Sequence, residues 1–213
     1  YKRQICGAAV ALAFYPAEGW YIFPLMVVAA ALGGFLWAMI PAVLKTRFGT
    51  SEILVSLMLV YVAGHILSWV AFGPLKNPQG YGFPGSRNLQ QYPPAANSEL
   101  WDGTGIHWGV IAAALAVIAT WVILSKHILG FRIRVAGLAP RAARFAGVSP
   151  DRLVVLCLGI SGALAGLAGM FEVSGPSGTL SPDFATGYGF TAIIVAFLGR
   201  LHPVGIVLSL IHI

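Results

Sequence analysis

Charge is the scarcest property of this sequence. Only 9% of its 213 residues are charged, whereas 58% are hydrophobic, and the mean hydropathy is +0.82. A soluble domain carries roughly 25% charged residues, so this chain has too few to cover a surface that faces water. The scarcity excludes an ordinary soluble protein and predicts a polytopic membrane protein.

Other residues and motifs that are rare or missing exclude several classes of function. The two cysteines, Cys6 and Cys157, lie inside apolar runs, which argues against a disulfide framework. The sequence has no G-x-x-x-x-G-K-S or G-x-x-x-x-G-K-T phosphate loop, and no Cys/His cluster has the spacing of metal ligands. No two carboxylates lie close together within one apolar run. We therefore predict no catalytic residue, no metal and no cofactor in this chain.

The charge that is present is basic and lies in one stretch. Residues 126–152 hold six Lys and Arg against one acid, Asp151, and apolar runs of membrane-spanning length lie on both sides. Basic residues in a short segment between two spans are typical of a cytoplasmic loop. The net charge of +6 is therefore a signal of topology, and we expect no nucleic-acid binding.

Apolar length predicts the spans. We expect membrane-spanning helices over 21–44, 51–72, 108–124 and 153–171. Residues 189–198 make only half a span, which predicts a re-entrant half-helix or the start of a longer helix bent near Gly199. The expected fold is an all-α bundle of transmembrane helices, truncated at both ends.

The connections between spans alternate in charge. Segments 45–50 and 126–152 hold two and six basic residues, whereas all segments on the other side together hold two. The positive-inside rule places the first set in the cytoplasm and the proline-rich loop 73–107 outside. Proline at this density blocks regular helix, so the sequence leaves open whether that loop is ordered by packing or loose.

The two ends of the sequence do not resemble the rest of the natural gene product. Residues 208–211, Leu-Ser-Leu-Ile, can be encoded CTG TCT CTT ATA, and the reverse complement encodes Tyr-Lys-Arg-Gln, the sequence of residues 1–4. The tail 208–213 also resembles a translated transposon-end adaptor from sequencing libraries. We expect 1–4 and 208–213 to be adaptor translation, and 5–207 to be one partial transmembrane domain.

Within the basic stretch, residues 140–147 form a compact motif. Pro140 suits the first position of a short helix, and Gly147 suits its end. Arg141 and Arg144 are three residues apart and share a face. Small residues keep another face flat: Ala142, Ala143 and Ala146. Such a helix fits a groove on a second protein, although plain positive-inside charge on a loop is the alternative.

Few polar side chains fall inside the spans, where each is costly. The candidates for lining a pathway are Glu52, Ser56, His65, Ser161 and Thr191. For His65 the alternative is an interhelical hydrogen bond, and for Glu52 it is an ion pair with Lys45 or Arg47. The lack of buried carboxylate clusters argues against ion-coupled transport.

Three glycines in the last full span predict close helix packing. Gly162, Gly166 and Gly169 recur at intervals of three and four residues, and small residues let helix backbones approach closely in lipid. A pathway role for the neighbouring Ser161 is the alternative reading of this segment.

These stretches together resemble a known family. The basic loop is similar to the coupling loop of permeases in bacterial ABC importers of the ribose, branched-chain amino acid and nucleoside group. The nucleoside or simple-sugar branch is similar at 48–63, 73–80, 83–84 and 187–200. That branch has Asn where this chain has Ser51 and Val60, which leaves the substrate open.

The resemblance implies a permease subunit of the bacterial inner membrane that forms the translocation pathway for a nucleoside or simple sugar. It implies a cytoplasmic ABC ATPase that hydrolyses the ATP, a second permease subunit in a homo- or heterodimer, and an extracytoplasmic substrate-binding lipoprotein. The implied ATPase-coupling residues are Gly137, Pro140, Arg141, Ala142, Ala143, Arg144 and Gly147. A branched-chain amino acid ABC permease and a secondary transporter outside the ABC class remain the alternatives.

Overall fold

The fold is an all-α polytopic membrane protein, as the apolar runs predict. The computed structural model describes residues 5–15, 19–77, 85–101, 103–180 and 187–212, and these contain no β-strand. The helices are α1 (Ile5–Ala13), α2 (Ile22–Phe48), α3 (Glu52–Phe72), α4 (Trp108–Lys126), α5 (Ile128–Leu138), α6 (Pro140–Phe145), α7 (Pro150–Ser174), α8 (Tyr188–Leu198) and α9 (Pro203–His212). Among the described residues α2, α3, α4 and α7 are long and apolar enough to span a membrane.

The first basic segment is mostly helix, so the expected loop over 45–50 is wrong in extent. α2 continues to Phe48, which puts Lys45 and Arg47 in its last turn. Cations are favoured there because the carbonyl end of a helix carries partial negative charge. Gly49 ends the helix in the left-handed conformation (φ 66°), and its N–H donates to the Lys45 carbonyl at 3.0 Å.

The second basic segment is also mostly helix, where the sequence predicts a loop with one short helix. α5 and α6 occupy most of 126–152. His127 caps the start of α5, because its ring Nδ1 accepts a hydrogen bond from the Leu129 N–H at 3.1 Å. The residues of α5 contain no proline, the residue that interrupts a helix most strongly.

The chain divides into two compact units. The first comprises the described residues of Tyr1–Val110 and Cys157–Thr186. Its apolar core joins α1, α2, the outer half of α3 and the later part of α7. Fully buried side chains of this core are Ile22, Met26, Leu67, Leu89, Met170 and Leu180.

Two loops of this unit fold onto each other and form what we call the outer cap, residues 85–97 with 174–180. The Ser86 N–H donates to the Leu180 carbonyl at 3.0 Å, and the Leu180 N–H donates to Ser86 Oγ at 2.9 Å. Further along, the Leu89 N–H donates to the Gly178 carbonyl at 2.7 Å. The described part of the proline-rich loop is therefore ordered by packing.

Replacing Ser86 with alanine should weaken the outer cap. Ser86 is buried, and the substitution leaves the Leu180 N–H without its acceptor. An unpaired buried donor costs about 1–3 kcal/mol, so we expect the detergent-solubilised protein to unfold at lower temperature and trypsin to cut within 85–101 sooner. Thr104→Ala, which removes an exposed hydroxyl, is the control. Equal unfolding temperatures for both variants would contradict this account of the cap.

The second unit comprises the described residues of Ile111–Leu156 and Gly187–Ile213. Here α8 stops at Leu198 and α9 leaves at 119° to it. This geometry fits both alternatives that the sequence allows, a re-entrant half-helix and a longer helix bent near Gly199. A Cβ on Gly205 would overlap the backbone of Gly199, so the turn needs small residues on both sides. α9 continues through 208–212, while residues 1–4 lie outside the described residues. Adaptor origin for both ends, and a single domain over 5–207, stay predictions.

Candidate coupling helix and transport pathway

The short helix α6 begins and ends where turn chemistry predicts. Pro140 occupies its first turn, where a missing N–H costs nothing. Gly147 lies past its end at φ 76°, and its N–H donates to the Arg144 carbonyl at 3.1 Å. The Val148 N–H donates to the Ala143 carbonyl at 2.9 Å. This nested pair is a Schellman closure, which fixes α6 at a defined length.

The side chains of α6 divide into a buried anchor and an exposed face. Ala143 is fully buried within its own unit. Arg141, Ala142 and Arg144 are exposed, and the ring of Phe145 is 95% exposed. Gly137, at the end of α5, is exposed as well, with nothing within 4 Å of an added Cβ. The helix therefore presents two cations and an aromatic ring outward.

Glu52 is held by a local ion pair. Its carboxylate lies 2.6 Å from the Lys45 ammonium, across the turn that joins α2 to α3. Both side chains are partly exposed. Among the readings that the sequence allows, this geometry favours a link between helix ends over a pathway role.

Glu52→Gln should therefore change little. A partly exposed ion pair contributes about 0–1 kcal/mol, so the unfolding temperature of the solubilised protein should shift by no more than a few degrees. Lys45→Met, which removes the same pair from the other side, should match it. Loss of transport in Glu52→Gln with transport intact in Lys45→Met would instead place the carboxylate in the pathway.

The other polar candidates do not share one face. Ser56 and His65 are nine residues apart on α3, about two and a half turns, so they project from opposite sides. Ser161 is exposed on α7 beside the buried Gly162. The Thr191 hydroxyl donates back to the Gly187 carbonyl at 3.5 Å, in the first turn of α8. Their roles stay predictions.

The glycines of α7 lie where it meets α2. A Cβ on Gly34 would overlap the Gly162 carbonyl oxygen, and a Cβ on Gly166 would overlap the Ala30 carbonyl oxygen. Both α7 glycines are buried, whereas Gly169 is half-buried. The two backbones thus touch over one to two turns, with no room for a side chain between them.

Comparison with known proteins gives the family. The model of the family described as "Branched-chain amino acid transport system / permease component" matches residues 3–212. The chain belongs to this permease family. No solved structure gives a significant match.

Several curated relatives of this permease-family chain are named as ABC transporter permease proteins. One, for glucose, from Haloferax volcanii, is 37% identical over 88% of this chain and 51% of its own length. One, for guanosine, from Bacillus subtilis, is 35% identical over 87% of this chain and 53% of its length. One, for nucleosides, from Lactococcus lactis, is 30% identical over 93% of this chain and 56% of its length. The chain spans about half the length of the curated relatives it matches.

Family membership and the apolar helices together show that this chain is a multi-pass membrane protein. In a bacterium its location is the inner membrane. The positive-inside rule predicts that the segment that carries α5 and α6 faces the cytoplasm. Which side of the membrane each loop faces stays a prediction.

Three residues that the structure draws attention to were not among the sequence predictions: Phe145, Tyr61 and Gly34. Phe145 follows Arg144 in α6, and nothing in its neighbourhood signals that its ring is left uncovered. Tyr61 is an intramembrane hydroxyl as costly as the serines, but aromatic rings are easily taken for core. Gly34 had a signal, since Ala30, Gly34 and Ala38 recur every four residues and are all buried.

Proposed function

We propose that this permease-family chain is the transmembrane subunit of an ATP-driven importer and forms part of the pathway for a neutral solute, a nucleoside or a simple sugar. The observation that carries the proposal is the exposed helix α6, with Arg141, Arg144 and Phe145 uncovered within the basic segment 126–152. The printed names of relatives, for guanosine, nucleosides and glucose, support the substrate class.

The importer needs partners on both sides. A cytoplasmic ABC ATPase docks on α6 and hydrolyses the ATP, because this chain has no phosphate loop. A second permease subunit completes the pathway, as a homo- or heterodimer. A substrate-binding lipoprotein delivers the solute to the outer side, where the packed outer cap gives it an ordered surface.

Motion passes from the ATPase through short, rigid connections. Only residues 146–149 separate α6 from α7, so a displaced α6 pulls directly on a 25-residue helix. α7 is locked to α2 by backbone contact at Gly166 and Gly34, so α2 follows it. Closure of the ATPase on ATP thereby rocks these spans between outward-open and inward-open states.

Reconstitution tests the function. The full-length subunit is assembled with its ATPase, its second permease subunit and its binding protein in proteoliposomes, and uptake of labelled guanosine, glucose and leucine is measured. We expect ATP-dependent uptake of guanosine or glucose and none with a non-hydrolysable ATP analogue. Uptake of leucine alone would overturn the substrate class, and uptake driven by an ion gradient without ATP would overturn the importer.

A further inference from the structure

One face of α3 carries polar and aromatic side chains that the rest of its unit leaves uncovered. Tyr61, His65 and Trp69 recur every four residues and so lie along one stripe. All three are exposed, Tyr61 and Trp69 by 74% and 70%. Counted from Glu52 at about 1.5 Å per residue, Tyr61 and His65 lie about 14 and 20 Å along the helix. In a hydrocarbon core about 30 Å thick both fall well inside it.

The polar groups of this stripe make contact with lipid unfavourable. Within the described part of the chain, neither the Tyr61 hydroxyl nor the His65 ring has a hydrogen-bond partner. Two hydroxyls in the spans bond back to the preceding turn instead: Ser68 donates to the Gly64 carbonyl at 3.1 Å, and Thr120 to the Ala116 carbonyl at 2.7 Å. An unpaired polar group in hydrocarbon costs several kcal/mol, so Tyr61 and His65 must meet water, a solute or another helix, of this protein or of a partner.

The stripe does not suit a tight helix interface either. Helices in membranes pack closely through small residues, as α2 and α7 do at Gly34 and Gly166. On α3 the small residues Ala63 and Ala71 lie on the buried side, against the core of the unit. The uncovered side carries large rings instead, which do not allow the close backbone approach that α2 and α7 make.

We propose that the α3 stripe of Tyr61, His65 and Trp69 lines a water-filled part of the pathway and contacts the solute there. This deepens the proposed import function and rests on it. The stripe carries hydrogen-bonding groups and ring faces but no carboxylate and no ammonium. It therefore suits a neutral solute with a ring face and polar edges: Tyr61 and His65 bond to its polar groups, and Trp69 packs against its ring.

Cysteine accessibility tests the stripe without knowing the solute. In the full-length subunit with Cys6, Cys157 and every further cysteine replaced by alanine, assembled in its complex, Tyr61→Cys and His65→Cys are treated with the permanently charged reagent methanethiosulfonate ethyltrimethylammonium. The thiolate is the reactive form and needs water to ionise. We expect both cysteines to react at least about tenfold faster than cysteines on a dry surface.

Helix α4 supplies apolar control positions at a similar number of residues from its own end. It has no buried residue, and the exposed Ile118 and Ala113 lie eight and thirteen residues from its cytoplasmic end, as Tyr61 and His65 lie nine and thirteen from theirs. If either α3 cysteine reacts no faster than Ile118→Cys and Ala113→Cys, the stripe is dry and the inference is wrong. If Tyr61→Cys or His65→Cys does not assemble, Met58→Cys takes its place, because Met58 lies about one turn from Tyr61 on the same face of α3. ATP-dependent uptake by the cysteine-free parent separately reports the import function, so the two failures are distinguishable.

Discussion

Replacing Gly34 or Gly166 with leucine should abolish accumulation of folded protein. At each position an added Cβ would overlap a carbonyl oxygen of the facing helix, Gly162 in one case and Ala30 in the other. A backbone carbonyl within a helix cannot turn aside, so α2 and α7 must separate along their contact. Overpacking costs about 3 kcal/mol or more when the obstacle cannot yield. That is a large part of the roughly 5–15 kcal/mol that stabilises a folded protein.

The measurement is size-exclusion chromatography of fluorescent fusions in detergent. Each leucine variant should give aggregate or no signal where the wild type gives a single peak. Ala168→Leu, which enlarges an exposed residue of the same helix α7, should keep the wild-type peak. A wild-type profile for Gly166→Leu would mean that the two backbones are not in contact there.

Much of the fold follows from the sequence because apolar length dominates the choice of structure in a membrane. Backbone groups must be bonded within the segment, so an uncharged run of 20 residues becomes a helix whatever lies around it. Local turn chemistry then sets the ends: α7 begins at Pro150, and Gly49 ends α2 four residues beyond the predicted end of that span.

The sequence misleads where charge is taken as a sign of a loop. Lys45 and Arg47 lie within the last turn of α2, and α5 is helical despite Arg132 and Arg134. At the edge of a membrane a basic residue fits a helix end as well as a loop, because its head group reaches water in both. Charge therefore did not predict the backbone conformation, and the side of the membrane that it indicates stays a prediction.

In the candidate sites too, local features could be predicted from the sequence, whereas burial and exposure could not. Helix α6 and its glycine closure are local, so Pro140 and Gly147 were enough to predict them. The burial of Ala143 and the exposure of Phe145 depend on what the rest of the unit covers, which a single sequence does not contain. That Ser56 and His65 project from opposite faces could have been read from their spacing alone.

Arg141→Glu with Arg144→Glu should abolish binding of the ATPase while leaving the permease-family chain folded. Both side chains are exposed, and within the described residues neither has an ion-pair partner whose loss would destabilise the fold. Reversing two charges at a docking face turns attraction into repulsion, worth several kcal/mol. Co-purification of the ATPase with the tagged subunit should fall by about a hundredfold or more.

The matched control lies on the adjacent helix. Arg132→Glu with Arg134→Glu makes the same change of net charge at exposed positions of α5, outside the proposed docking helix α6. A long-range field would weaken ATPase binding equally in the two double variants. A contact at α6 would weaken only the first, and orientation in the membrane, checked by protease accessibility, should be unchanged in both.

Phe145→Ala separates contact from charge. Its ring is 95% exposed in the chain, and an aromatic ring left uncovered on a short helix is the kind of side chain that anchors an interface. Truncating it removes no charge and leaves the buried Ala143 in place, so α6 should keep its conformation. ATPase binding should weaken by about tenfold or more and should not recover at low salt, whereas a purely electrostatic contact would leave it unchanged.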